Sequence, residues 1–274
     1  GNVFRIEIQN AELWPNSWRL VELFRPERLP DEQESLLTVD DGFHLVLRDG
    51  RGNVVLESLP TTSFGVMGQA SMFCFRYSRD NHYFGLGEKL LGRFEMSDVQ
   101  TRFWNTDALG DFHPGQFVEH PTDPYYVSVP YLIVRQAGTF VGILLENQCA
   151  PTIDVGTDPS FDRSEDANRK IAVSAEDGQP VLWLIVGPTL QDLTRKFQAL
   201  VGKTPLPPLW SLGYHQCRWG YKGEADLVRL DRLMTKHKVP CDGLWLDIDY
   251  LRGYRVFDYS ADHFPNGVPA AIEK

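Results

Sequence analysis

Two carboxylates one residue apart, Asp247 and Asp249, follow an apolar run in "GLWLDIDYLRGYRVFDYSADHFP". On an extended strand such residues point to one face about 7 Å apart. That separation lets a pair of acids work on a glycosidic bond with a water between them. The two acids must, however, flank the scissile bond from opposite sides, and two carboxylates on one strand edge cannot surround a sugar. In the better reading, one carboxylate is aimed into the mouth of a barrel to accept hydrogen bonds from substrate hydroxyls and one serves the adjoining loop. In the alternative, both simply pair with Arg252 and Arg255.

Three other groupings carry less. "GLGEKLLG", Gly85 to Gly92, has neither the G-x-G-x-x-G spacing nor a terminal Lys-Ser/Thr, so it reads as a tight turn with Glu88 in a structural hydrogen bond. His113 and His120 lie near Asp111 and Glu119, but a spacing of seven fits no helix or strand face, which favours a solvated loop over a metal site. Cys217 beside His215 imitates a nucleophile pair; as strand neighbours, both are expected in buried packing.

The elements that must position these residues fall into two regimes. Up to about Gly187 the signals are strand and turn. "FRIEIQ" alternates, with Phe4, Ile6 and Ile8 on one face. "FHLVLRDGRGNVVLES" reads as two strands around Asp49–Asn53, "YYVSVPYLIVRQAGTFVGILLEN" as two around Ala137-Gly138, and "RKIAVSAEDGQPVLWLIVG" as a hairpin around Asp177-Gly178. Many short strands and no long amphipathic helix predict a mainly β fold, an antiparallel β-sandwich over 1–187. A helix with Thr189 as N-cap, Leu190, Leu193, Phe197 and Leu200 on one face and Gly202 as stop opens a boundary region, 188–208, that ends in the proline-rich "KTPLPPLW". From 209 to 274 the order is strand ("LWSLGYHQC"), helix (Leu227, Leu230 and Met234 in register) and strand ("GLWLDID"). This β-α-β unit predicts a parallel crossover, the repeating element of a (β/α)8 barrel, whose strands deliver functional residues at their C-terminal ends.

The 274 residues suffice for a sizeable core, and a net charge of −10 without any Lys/Arg cluster argues against nucleic acid. No apolar run reaches the roughly 18 residues of a membrane span. Four cysteines, Cys74, Cys149, Cys217 and Cys241, show no C-x-x-C spacing, so free buried thiols and a cytoplasmic location are expected.

"WSLGYHQCRWGY", followed by "WLDIDYLRGYRVFDYSADHFP", resembles glycoside hydrolase family 31, as do the upstream "YFGLGEKLLGRFEMSDVQTRFWNTDALG" and "DPYYVSVPYLI". The resemblance implies a galactose-mutarotase-like β-sandwich followed by the opening of a (β/α)8 barrel. It further implies a retaining α-glucosidase acting on α-linked glucosides, malto- or isomalto-oligosaccharides, with no cofactor and no metal. It assigns Asp247 to the hydroxyls of the sugar in the cleaved subsite, with Ile248 packed beside it and Trp219 lining the same pocket. Asp107, in "WNTD", is assigned to the sugar being released. The nucleophile and acid of the family lie on later barrel strands, so the catalytic carboxylates are expected beyond Lys274 and the chain alone is expected to be inactive. A non-enzymatic carbohydrate-binding sandwich is the alternative. Two parallel strands cannot close a barrel, so self-association through their open edge, or burial of the segment from Leu209 onward against other chain, is also expected.

Overall fold

The computed structural model describes residues 2–8, the backbone of 18–21, and residues 34–106, 123–157 and 169–273. They divide into two compact units, Gly1–Lys203 and Thr204–Lys274.

The strands of the first unit are β1 (Val3–Ile8), β2 (Trp18–Val21), β3 (Leu36–Val39), β4 (Leu45–Arg48), β5 (Val54–Glu57), β6 (Phe64–Met67) and β7 (Ala70–Arg76). They continue with β8 (His82–Gly85), β9 (Val99–Arg102), β10 (Tyr131–Gln136), β11 (Thr139–Leu145), β12 (Thr152–Val155), β13 (Lys170–Ala175) and β14 (Val181–Gly187). They form a six-stranded sheet, β2-β1-β14-β11-β10-β8, a five-stranded sheet, β6-β7-β13-β12-β9, and a three-stranded sheet, β3-β4-β5. Every pairing is antiparallel. The alternation read in "FRIEIQ" is real: Phe4, Ile6 and Ile8 are buried while Arg5 and Glu7 are only partly so. Their face joins a core that also takes Phe73, Phe75, Ile153 and Val173 from the five-stranded sheet and Leu45 and Leu47 from the three-stranded one.

The turn at Asp177-Gly178 does not close a hairpin. β13 pairs with β12 and β7, whereas β14 pairs with β1 and β11, so the chain crosses from one sheet to the other there. Asn147 holds the crossover, donating from its side-chain amide to the carbonyls of Asp177 (2.9 Å) and Gln179 (3.1 Å). Gly178 takes a φ of 82° that a side chain disfavours. Local turn chemistry is the same for a hairpin and an arch; which sheet each flank joins is a tertiary choice.

Helix α1 (Leu190–Val201) belongs to the first unit. Thr189 accepts the Asp192 N–H at 3.2 Å and donates to the Asp192 carboxylate at 2.6 Å, and Gly202, at φ 101°, ends the helix. Leu193, Tyr131, Ile185 and Val3 form a second cluster, with Phe197 and Leu200 against it. Leu190, expected on that face, is 45% exposed. Lys196 is buried instead, its Nζ donating to the Val186 carbonyl at 2.6 Å. A lysine stem covers apolar surface when its head finds an acceptor.

The second unit contains β15 (His215–Arg218), α2 (Glu224–His237), β16 (Gly243–Leu246) and a short α3 (Gly267–Ile272). β15 and β16 pair in parallel, His215 opposite Gly243 through Arg218 opposite Leu246. The strand expected across "LWSLGYHQC" is shorter than that, because Leu209–Leu212 forms a 3-10 turn. Pro208 lies just before it, and its carbonyl accepts the Ser211 N–H (3.0 Å) and hydroxyl (2.8 Å). In α2, Leu230 is buried while Leu227 and Met234 are half-buried. Asp226 near its start accepts the Lys222 N–H at 2.8 Å and Arg229 at 3.2 Å, which hold its carboxyl below the usual range.

Candidate functional site

Parallel pairing puts the C-terminal ends of β15 and β16 at one end of the pair, so the residues after Arg218 and Leu246 emerge together. The first residue after β15 is Trp219 and the first after β16 is Asp247. Trp219 is 69% exposed, and its Nε1–H donates to Oδ1 of Asp249 at 3.2 Å. The Tyr254 hydroxyl donates to the same oxygen at 3.3 Å. Asp249 is therefore tied into its loop. Asp247 is exposed and receives no hydrogen bond or ion pair among the described residues, leaving its oxygens open to a ligand. Ile248 beside it is exposed as well.

One sequence expectation is corrected here, and the alternative to the preferred reading is set aside. β16 ends at Leu246, and Ile248 to Tyr250 turn, so the i, i+2 geometry of a strand does not extend over the two acids. Arg252 does not pair with either acid. Its Nε donates to Asp258 at 2.8 Å, and that bond, against a smaller effect of burial, lowers the Asp258 carboxyl. The division of labour between one open and one loop-bound carboxylate is what the structure displays. The Trp219–Asp249 contact, thirty residues apart, has no local signal in the sequence; only the register of β15 on β16 exposes it.

His215 is not poised beside a nucleophile. Its Nδ1 accepts Trp245 Nε1–H at 2.8 Å, and its Nε2 lies 3.2 Å from the Trp210 carbonyl, which requires the Nε2–H tautomer of a neutral ring. Both nitrogens are occupied. A Cβ on Gly243 would lie 2.4 Å from Nδ1, so the missing side chain makes room for the ring. Cys217 is exposed rather than buried, as is Cys149, while Cys74 is buried and Cys241 partly so.

In the first unit, the Gly85–Gly92 turn carries three successive positive φ angles, 99° at Gly85 and 67° at both Leu86 and Gly87. A Cβ on Gly87 would sit 2.7 Å from that of Val129. Glu88 accepts the Val127 N–H at 2.9 Å, the structural bond expected of it. Asp107, His113, His120, Asp111 and Glu119 lie outside the described residues. Thr106, just before Asp107, donates its N–H to the Tyr125 carbonyl at 3.1 Å. Among the described residues no three His, Cys, Asp or Glu side chains are grouped to hold a metal, and no helix is long and apolar enough to cross a membrane.

Comparison with known proteins covers both units. Residues 10–154 match the model of the glycosyl hydrolase 31 N-terminal galactose mutarotase-like domain, and 204–274 match that of the glycosyl hydrolases family 31 TIM-barrel domain. The chain is 32% identical over 225 residues to alpha-glucosidase 2 of Bacillus thermoamyloliquefaciens, covering 82% of this chain and 26% of that protein. It is 33% identical over 153 residues to human neutral alpha-glucosidase C, covering 52% of this chain and 17% of that one. It thus spans about a quarter or less of the length of these curated relatives. Among solved structures, a mutant of a family 31 dextranase of Flavobacterium johnsoniae, complexed with isomaltotriose, aligns with a TM-score of 0.68 at 26% identity, covering 81% of this chain and 25% of that one. The glucosidase II alpha subunit, at 21% identity and a TM-score of 0.61, shares the fold.

Proposed function

Because the chain belongs to glycoside hydrolase family 31, we propose that it is part of a retaining α-glucosidase acting on α-linked glucosides, to which it contributes substrate-contacting residues. The observation carrying this reading is the ordered match of two family 31 domains in a chain 32% identical to an α-glucosidase. The chemistry at the strand ends supports it. Asp247, exposed and without a partner among the described residues, offers two acceptor oxygens to vicinal hydroxyls. Trp219 offers an indole face to the apolar side of a sugar ring, held by its bond to Asp249. Ile248 packs beside the acid, and Asp107 contacts the sugar that leaves. The substrates are malto- or isomalto-oligosaccharides; the dextranase bound to isomaltotriose makes the isomalto class a member of the set to be tested.

The test is turnover of an aryl α-glucoside, maltose and isomaltose by the whole enzyme. Cleavage of none of the three would sink the proposal. In an active enzyme, Asp247→Ala lowers kcat/KM by roughly 30- to 1000-fold, the equivalent of about 2–4 kcal/mol for a carboxylate bonded to sugar hydroxyls. Wild-type kinetics in that variant would remove Asp247 from the site. Asp107→Ala lowers kcat/KM more for maltose than for the aryl glucoside. The 274-residue chain by itself turns over none of them, because the family's nucleophile and acid belong to barrel strands other than β15 and β16. The open edge of that strand pair also favours self-association of the isolated chain, which sedimentation over a range of concentrations reads directly.

A further inference from the structure

The chain contains four Asp-Gly pairs, Asp41-Gly42, Asp49-Gly50, Asp177-Gly178 and Asp242-Gly243, and one Asn-Gly pair, Asn266-Gly267. Such pairs share a latent reaction, in which the glycine nitrogen attacks the carbonyl carbon of the preceding side chain and closes a five-membered ring. An intramolecular step of this kind runs at a rate set by how the two groups are held.

In four of the five pairs the fold commits one of the two groups elsewhere. The Gly42 N–H donates to Asp40 rather than to Asp41, at 2.9 Å. The buried Asp49 carboxylate accepts from Arg51, Asn53 and Thr139. Gly243 opens β16 opposite His215, and Oδ2 of Asp242 packs against Gly213, which has no side chain to meet it. The Gly267 N–H donates to the Phe264 carbonyl at 2.9 Å.

Asp177-Gly178 is held differently. The Gly178 N–H donates to Oδ1 of Asp177 itself, with nitrogen and oxygen 2.5 Å apart, so the carboxyl is folded back over the amide that follows it. The side-chain amide of Asn147 grips the carbonyls on either side of Gly178, those of Asp177 and Gln179, and fixes the turn in this form. Residues 176–179 are exposed, and Gly178 has no side chain to shield its nitrogen.

We propose that Asp177 is a site of spontaneous isomerisation to isoaspartate, poised by the crossover turn and by Asn147. The Gly178 nitrogen forms a bond to Cγ of the protonated carboxyl. The bond from Cγ to the hydroxyl breaks, and that oxygen leaves as water with the amide proton. The resulting succinimide takes up one water, and opening at the former backbone carbonyl leaves the chain running through the β-carboxyl carbon. The crossover between β13 and β14 is then one methylene longer, and the two carbonyls no longer match the single amide of Asn147.

Timed incubation of the whole enzyme in warm buffer, then proteolysis and peptide mapping, reads isoaspartate as a chromatographic isomer of unchanged mass. The same incubation in urea gives the rate at each pair in the unfolded chain. The folded-to-unfolded rate ratio at Asp177 is expected to exceed those at Asp41, Asp49 and Asp242 by about fivefold or more. A ratio no higher than theirs overturns the proposal. Asp177→Glu keeps the charge but needs a six-membered ring, so the isomer in that peptide disappears; its persistence places the reaction at another residue and overturns the assignment. Asn147→Ala frees both carbonyls and brings the Asp177 ratio down to that of the other pairs, and an unchanged ratio removes Asn147 from the proposal. None of these measurements requires turnover of a glucoside, so their outcome is independent of the α-glucosidase reading.

Discussion

The two units treat the same kinds of residue in opposite ways. In the first, β14 reads "VLWLIVG" and all of it is buried except the half-buried Trp183. In the second, β16 reads "GLWL" and none of its residues is buried. Large apolar side chains after it, Tyr254, Val256 and Phe257, are exposed, as are Leu209 and Leu212 before β15. The difference follows from how each kind of strand is covered. Antiparallel sheets facing one another bury each other's inner faces, and here α1 also covers the outer face at Tyr131 and Ile185. A parallel pair needs covering on both faces, and α2 contributes one fully buried apolar side chain, Leu230. Apolar sequence is a demand for burial, which the surrounding layers either meet or leave open.

The contrast breaks most readily under hydrogen exchange. Amides of β11 and β14 are expected to exchange at least ~1000-fold more slowly than those of β15 and β16 in the isolated chain, since local opening free energies track buried contacts. Equal protection would mean that the second unit is covered after all. The next largest effect is steric and confined to the first unit. Tyr131 lies stacked on Phe197, centroids 4.2 Å apart, and a Cβ on Gly142 would meet its hydroxyl at 2.2 Å. Gly142→Ala should cost about 1–3 kcal/mol in denaturant unfolding, as overpacking does. The Tyr131 hydroxyl is buried and finds no partner among the described residues, and burial pushes its pKa up. Tyr131→Phe should therefore be neutral or stabilising by up to about 1 kcal/mol, and it should relieve part of the Gly142→Ala penalty.

How much of this was legible in the sequence follows the same divide. The alternation in β1, the turns at Asp49 and Ala137-Gly138, and both ends of α1 are local patterns with local causes, and they read correctly. The crossover at Asp177-Gly178 did not, because a glycine turn is silent about which sheet receives the next strand. Leu190, expected on the buried face of α1, is exposed, and Lys196, on which the sequence reading was silent, is buried because a carbonyl on β14 accepts its ammonium. At the candidate site, Asp247 stood out by type and position and Trp219 through the family resemblance, whereas the bond from Trp219 to Asp249 depends on strand register. Lys89 gave no signal at all: nothing in "GLGEKLLG" marks its side chain as buried, and the groups that enclose it, Asp123, the Arg102 carbonyl and the Phe103 ring, lie well along the chain.

A smaller effect sharpens the comparison through one acid. Asp49 is buried and accepts four hydrogen bonds: the N–H groups of Arg51 (3.0 Å) and Asn53 (2.9 Å), the Asn53 amide (3.1 Å) and the Thr139 hydroxyl (3.1 Å). Burial raises its pKa, but these bonds outweigh burial and the carboxyl sits below its ordinary 3.8. A depressed folded pKa contributes stability that is present above the unfolded value and lost as pH falls through the folded one. Asp49→Ala should cost about 1–3 kcal/mol at neutral pH, and the difference from wild type should shrink as pH drops below about 3.8. A pH-independent difference would show that shape rather than charge is at work.

The smallest expected effect belongs to the other acid. Asp249 accepts two bonds, from Trp219 at 3.2 Å and Tyr254 at 3.3 Å, and both donors are exposed. Water competes for such bonds, so each contributes little beyond what solvent offers, in contrast to the enclosed set around Asp49. Trp219→Phe keeps a ring and removes the N–H; its cost in unfolding of the isolated chain should stay within about 0.5 kcal/mol. Because Trp219 is exposed, its fluorescence contribution should lie at the long-wavelength end, and quenching by iodide should fall when it is replaced. A loss above about 1.5 kcal/mol would place the Trp219–Asp249 contact in a covered environment and erase the contrast between the two units at the point where it was drawn most sharply.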